Sequence, residues 1–157
     1  MSEWEDIAKD KRAEIRNLIP DEWRLSEDQL QRAWSNKDRN VLRVAQECRI
    51  LTDKELEITE QYDVLGLLEQ MKSGNLTARE VTTAFCKRAA IAQQLVRPPR
   101  FPTLDDGKNL LIFTKTCCLT EIFFAEALET ADALDDYFNQ NKELRGPLHG
   151  IPVSLKV

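Results

Sequence analysis

The sequence predicts an α/β fold in which helices outnumber strands. Capping residues recur in front of helix-period apolar runs between residues 26 and 95, and a further helix-period run occupies 124–138. Two short apolar runs, 118–123 and 151–156, have strand character instead. With 157 residues and 18.1 kDa, the chain can bury about two-thirds of its unfolded surface, enough for one domain with a core.

Residues 3–19 place Trp4, Ile7, Ile15, Leu18 and Ile19 at helical spacing among charged residues, and Pro20 ends the pattern. Ser26, followed by Glu27, Asp28 and Gln29, caps a second short helix to about Trp34, with acids in the first turn where the helix dipole favours them. Two readings of this region stay open: an extension packed on a larger body, with Trp23 between the helices, or a free-standing protein-binding arm. From Asn40 to Leu51 the pattern is mixed and reads as loop or frayed helix.

Thr52 with Glu55 has the spacing of a capping box and starts a short helix. Asp63 opens another, with Val64, Leu67, Leu68 and Met71 on one side and Gly74 as its stop. Thr77 and Glu80 form a second box, and Val81, Ala84, Phe85, Arg88, Ala89, Ile91 and Ala92 carry a strong helix to about Leu95. On that helix Cys86 reads as core and its neighbours Lys87 and Arg88 as a solvated face.

At about 96–117 the composition shifts to Pro, Arg and Gly and then to the apolar run Leu110–Phe113. The following run, Cys118–Phe123, reads as a strand. In the next helix Phe124, Leu128, Ala131, Leu134, Tyr137 and Phe138 define the buried side. Glu126, Glu129, Asp132, Asp135 and Asp136 form an acidic face without ligand spacing, which reads as solvation.

The net charge of -5, spread along the chain, leaves no basic stripe for nucleic acid. No window reaches the length of a membrane span, and the polar N-terminus lacks a signal-peptide core, so a cytoplasmic location is expected. Cys48, Cys86, Cys117 and Cys118 show no CxxC spacing and His149 is the only histidine; no metal site and no cofactor are expected, and reduced thiols are.

The chemistry-bearing stretch is Leu144–Val157. Gly146, Pro147, Gly150 and Pro152 forbid a helix and favour a tight turn. Ile151, Val153 and Leu155 then alternate with Pro152, Ser154 and Lys156, a strand period with the apolar set on one face. Lys156 at the end of such a strand would be partly desolvated, which lowers an ammonium pKa and suits a base; an ordinary buried strand with a snorkelling lysine is the alternative.

The segment GPLHGIPVSLK, Gly146–Lys156, resembles the start of the amidase signature family, whose members carry G-P-L-H-G-I-P-V-x-L-K-D; the match is unbroken to Lys156, and Val157 stands where the family has Asp. The stretch from Glu55 to Leu95 is similar to the N-terminal helices of acetamidase-like, fungal-type members, which pack beside the catalytic sheet. What the resemblance implies is an N-terminal fragment: N-terminal helices plus the first strands of the family's mixed sheet, left incomplete. Residues 1–50 would be a helical extension and 51–157 a partial amidase signature domain. The stretch at about 96–117 would be an atypical insertion, either a surface loop or a translated intron that begins at Val96, with a second intron at Val157 truncating the chain.

By the same resemblance Lys156 is the base of a Ser-cisSer-Lys triad that hydrolyses carboxylic amides to acid and ammonia. The two serines have no counterpart. Ser2, Ser26, Ser35, Ser73 and Ser154 include no pair, and Ser154 reads as a strand filler. The expectation is therefore a truncated amidase signature protein, inactive as it stands, whose full-length relatives take small amides. The alternative is a non-enzymatic helical module that binds a full-length amidase. Exposed strand edges would favour self-association in either case.

Overall fold

The computed structural model describes residues 3–35, 41–95, 119 and 121–154. Among them the chain forms α1 (Glu3–Asn17), a 3-10 turn (Asp21–Trp23), α2 (Glu27–Ser35), α3 (Val44–Glu47), α4 (Asp53–Glu60), α5 (Val64–Lys72), α6 (Ala78–Leu95) and α7 (Phe124–Asn141).

Short-range caps set the helix starts. Ser26 Oγ accepts from Gln29 N at 3.2 Å while the Gln29 side chain accepts from Ser26 N at 2.8 Å. Thr52 and Glu55 close the same reciprocal pair, and Thr77 and Glu80 a third. Asp63 caps α5 through Gly66 N at 2.7 Å. Each box satisfies a backbone donor that a helix leaves without an internal partner. Gly74, with φ +75°, stops α5 in the left-handed conformation that glycine adopts without strain. Of the stretch 40–51, expected as loop or frayed helix, the described residues 41–51 are helical only at Val44–Glu47.

α6 is the axle. Its residues enter all three apolar clusters: Val81 and Ala84 pack with Ile58, Leu67 and Met71; Cys86 and Ala90 with Ile15, Ile19, Trp23 and Phe124; Ile91 with Leu25, Ala45 and Leu51. Val81, Ala84 and Ala90 are fully buried, and such small side chains let neighbouring helices approach closely. The first 50 residues share this core: Trp23 lies 5.6 Å centroid to centroid from Phe124, tilted by 58°. Cys86 is core, as read. Burial pushes its thiol up to about 11, so it stays protonated and unreactive.

Lys87 and Arg88 are not a solvated face. Lys87 Nζ pairs with Glu55 at 2.7 Å with both side chains about 15% exposed, and Arg88 donates to Thr59 at 2.8 Å and Glu60 at 3.0 Å. These bonds seam α4 to α6.

The acidic face of α7 is likewise only partly solvent-directed. Asp135 Oδ1 accepts from Ala78 N at 2.7 Å and Oδ2 from Arg79 N at 2.9 Å. With Thr77 Oγ1 serving Glu80 N, the first three amides of α6 are all bonded, two of them by a carboxylate from another helix. Asp132 pairs with Arg79 beside it.

The expected strands are not found among the described residues. In 118–123, Cys118 and Thr120 lie outside those residues, and Leu119 and 121–123 join no ladder; neither does Ile151–Ser154. A strand exists only through a partner that takes its N–H and C=O groups. Here a side chain takes that part: Gln93 Oε1 accepts from Leu119 N at 2.9 Å and Gln93 Nε2 donates to Leu119 O at 3.1 Å. The insertion at 96–117 lies outside the described residues.

Asp135→Ala removes the acceptor of two helix-terminal amides and should cost about 2 kcal/mol. Asp132→Ala, breaking a pair whose side chains are about half exposed, should cost under about 1 kcal/mol. Urea melts compare the two; equal, small losses would show that water replaces the Asp135 carboxylate.

Candidate functional site

The sequence places the chemistry in the segment after α7, and the structure describes it through Ser154. α7 ends when Lys142 turns into the left-handed region at φ 55°, its N–H bonded to Phe138 O at 2.8 Å. The chain then reverses. Leu144 packs back onto the cluster of Ile58, Met71 and Val81.

Two successive tight turns follow, as the Gly-Pro pattern predicts. His149 N donates to Gly146 O at 3.2 Å and Ile151 N to Leu148 O at 3.1 Å. Across the first, Arg145 N, just ahead of the turn, donates to His149 Nδ1 at 3.1 Å. His149 is only 4% exposed, and its ring meets that of Phe138 edge to face, 6.4 Å between centroids. Burial pushes its imidazole below the usual histidine range, and the nearby Asp135 carboxylate opposes that shift without reversing it.

Gly150 fixes the turn against the helical body. Its φ is +69°, and a Cβ there would lie 2.7 Å from Ala78 Cβ, 2.8 Å from Met71 Sδ and 2.9 Å from Ala78 Cα. The backbone thus lies directly on the start of α6, where Thr82 Oγ1 donates to Gly150 O at 3.4 Å. Asp135 holds that same helix start. A cleft of about 100 Å³ lies beside it, lined by Met71, Leu76, Thr77, Asp135, Phe138 and His149.

Beyond Gly150 the expected alternation fails. Ile151 is half-buried on the main cluster, but Val153 is 66% exposed and Ser154 is exposed as well. No second layer covers Val153 among the described residues, so strand parity has nothing to bury it against. Lys156, the expected base, lies outside the described residues together with Leu155 and Val157. No described helix is long and apolar enough to cross a membrane.

Sequence reasoning missed Asp135 as the organiser of this corner and His149 as a closing acceptor. Asp135 carries no local signal, because its partners lie 56 and 57 positions away; the partner of His149 is only four residues away, but a histidine is not a standard capping residue and the spacing alone does not mark it as an acceptor.

No protein-family model matches the chain. An acetamidase of Emericella nidulans is 39% identical over 153 residues, covering 98% of this chain and 23% of that protein. An amidase of Gibberella moniliformis is 35% identical over 153 residues, covering 98% of this chain and 25% of its own length. Among solved structures, a fatty acid amide hydrolase superposes with a TM-score of 0.65 at 25% identity, over 96% of this chain and 23% of the hydrolase. The chain thus spans about a quarter of the length of the relatives it matches. Over that quarter, the chain belongs to the amidase signature family.

Proposed function

We propose that this chain is the base-bearing part of an amidase signature hydrolase acting on small carboxylic amides, with Lys156 as the proton acceptor. The single observation that carries the reading is the uninterrupted GPLHGIPVSLK segment, anchored on α6 by Gly150 six residues ahead of the lysine. A hydroxyl attacks an amide only once a neighbouring base removes its proton, and a lysine can do so when its surroundings disfavour the ammonium. Similarity to an acetamidase over nearly the whole chain supports small amides as the substrate class.

The chain contains no Ser-Ser pair, so the nucleophile and the bridging hydroxyl must come from residues outside it. By itself it is expected to release no ammonia from acetamide. Residues 1–50 act as a helical extension, residues 51–157 as part of the catalytic domain, and the cytoplasm is the proposed location.

A second reading, an interaction module that binds a full-length amidase, draws on the exposure of Phe123, Leu148 and Val153 at 59%, 57% and 66%. Co-purification with such an amidase favours it, and a monodisperse, cooperatively melting monomer counts against it.

The decisive test is a chimera in which this chain replaces the matching quarter of the Emericella acetamidase. Lys156→Ala should lower its acetamide turnover by at least about 100-fold, the usual contribution of a general base. An active chimera indifferent to that change would remove Lys156 from the mechanism. Turnover by the isolated chain that is lost on Lys156→Ala would instead overturn its inactivity.

The anchoring glycine can be tested separately. Gly150→Ala combines a positive φ with contacts under 3 Å and should destabilise by about 2–4 kcal/mol. Gly146→Ala, where a Cβ meets open space, should stay within about 0.5 kcal/mol. Equal thermal melts for the two variants would contradict the packed turn.

A further inference from the structure

His149 combines features that its place in the turn alone does not require. It is buried, it accepts a backbone N–H through Nδ1, and it is the only histidine in the chain. An Nδ1 that accepts cannot also carry a proton, so the bond from Arg145 N assigns the neutral Nε2–H tautomer. Protonation would put two N–H donors face to face across 3.1 Å.

The charges around the ring are few. α7 presents Asp135, already engaged by the amides of Ala78 and Arg79, together with the uncharged Phe138 and Asn139. α5 presents Met71, and the α5–α6 connection presents Gly74, Leu76 and Thr77, all uncharged. In its own turn Arg145 directs its guanidinium over Tyr137, 6.0 Å from the ring centroid. Asp135 alone favours the imidazolium, and burial outweighs it.

The geometry points to His149 as the positioning residue for the segment Ile151–Ser154 that leads to Lys156: its neutral imidazole closes the turn through the Arg145 N–H, and protonation opens it. This role rests on the reading of Lys156 as a base, but its closing bond lies wholly within this chain. The linkage has a definite sign. Because the folded imidazole titrates below the ordinary value of about 6.5, the unfolded chain binds more protons in the window beneath it. The stability from neutral His149 is complete above about pH 6.5 and is lost as pH falls through the folded value.

With one histidine, the test needs no assignment by mutation. Long-range nitrogen–proton NMR of the imidazole in this chain should show the Nε2–H tautomer and a midpoint below 6.5. The Arg145 amide should exchange at least about tenfold faster, after correction for intrinsic rate, once the imidazole is charged. The amides of Ile151 and Lys156 should shift with the same midpoint. In His149→Asn the side-chain oxygen can still accept from Arg145 N without titrating, so protection should persist and the pH step vanish. An Nδ1–H tautomer, a midpoint at or above 6.5, or a Lys156 amide that is flat across the titration would overturn the proposal. Each of these is read without catalysis, so a failed chimera leaves the result separately interpretable.

Discussion

The carboxylate of Asp135 at the start of α6 is the contact on which the site-bearing half of the structure depends. A helix begins with amides that no residue of its own can bond, and their partial positive charge attracts an anion. α6 meets this demand from two directions. Thr77 and Glu80 close their box within four residues, while Asp135 arrives from α7 and takes the amides of Ala78 and Arg79. One interaction therefore ends a local problem and sets a tertiary register, because α7 can slide along α6 only by giving up both bonds. The turn after α7 inherits that register: Gly150 rests on Ala78, the residue whose amide Asp135 holds.

Further along α6, two adjacent glutamines solve another problem. Irregular chain beside a helix carries peptide groups that would be costly to bury unpaired. Gln93 pairs with both the N–H and the C=O of Leu119. Gln94 accepts from Leu25 N at 2.8 Å and donates to Trp23 O at 2.9 Å. A primary amide has the donor and acceptor of a peptide group in nearly the same plane, so each glutamine stands in for one residue of a strand. Connecting segments can thus pack against a helix with their polar groups satisfied, without a sheet beside them.

What the sequence discloses follows from the range of each interaction. The caps at Ser26 and Asp63 and the boxes at Thr52 and Thr77 are visible because donor and acceptor lie three residues apart, as is the tight turning at the Gly-Pro stretch, whose closures span the same distance. Lys87 looks like surface because nothing nearby in sequence offers it a partner; Glu55 is 32 residues away. Asp135 looks like solvation for the same reason. The strands misread differently: an apolar run records a tendency to be extended and covered, but a ladder requires a second strand, and neither 121–123 nor 151–154 has one among the described residues. The resemblance identified the segment carrying the lysine, whereas the surroundings of Lys156 lie outside the described residues.

The manner in which this segment is held bears on why a catalytic base would sit at its end. A proton acceptor must meet its hydroxyl within hydrogen-bond reach, and a displacement of about 1 Å can cost two orders of magnitude in rate. Precision of that order does not come from a loop fixed only at its tips. Here the chain is pressed onto a helix start at Gly150 with no room for a methyl group, bonded by Thr82 from below and closed by His149 from within. Val153 is exposed, and among the described residues the contacts that hold the segment come from the helical side. On the proposed reading, the part of the protein that supplies the hydroxyls would cover the other face, so that one part of the fold fixes the origin of the base and another presents the nucleophile to it.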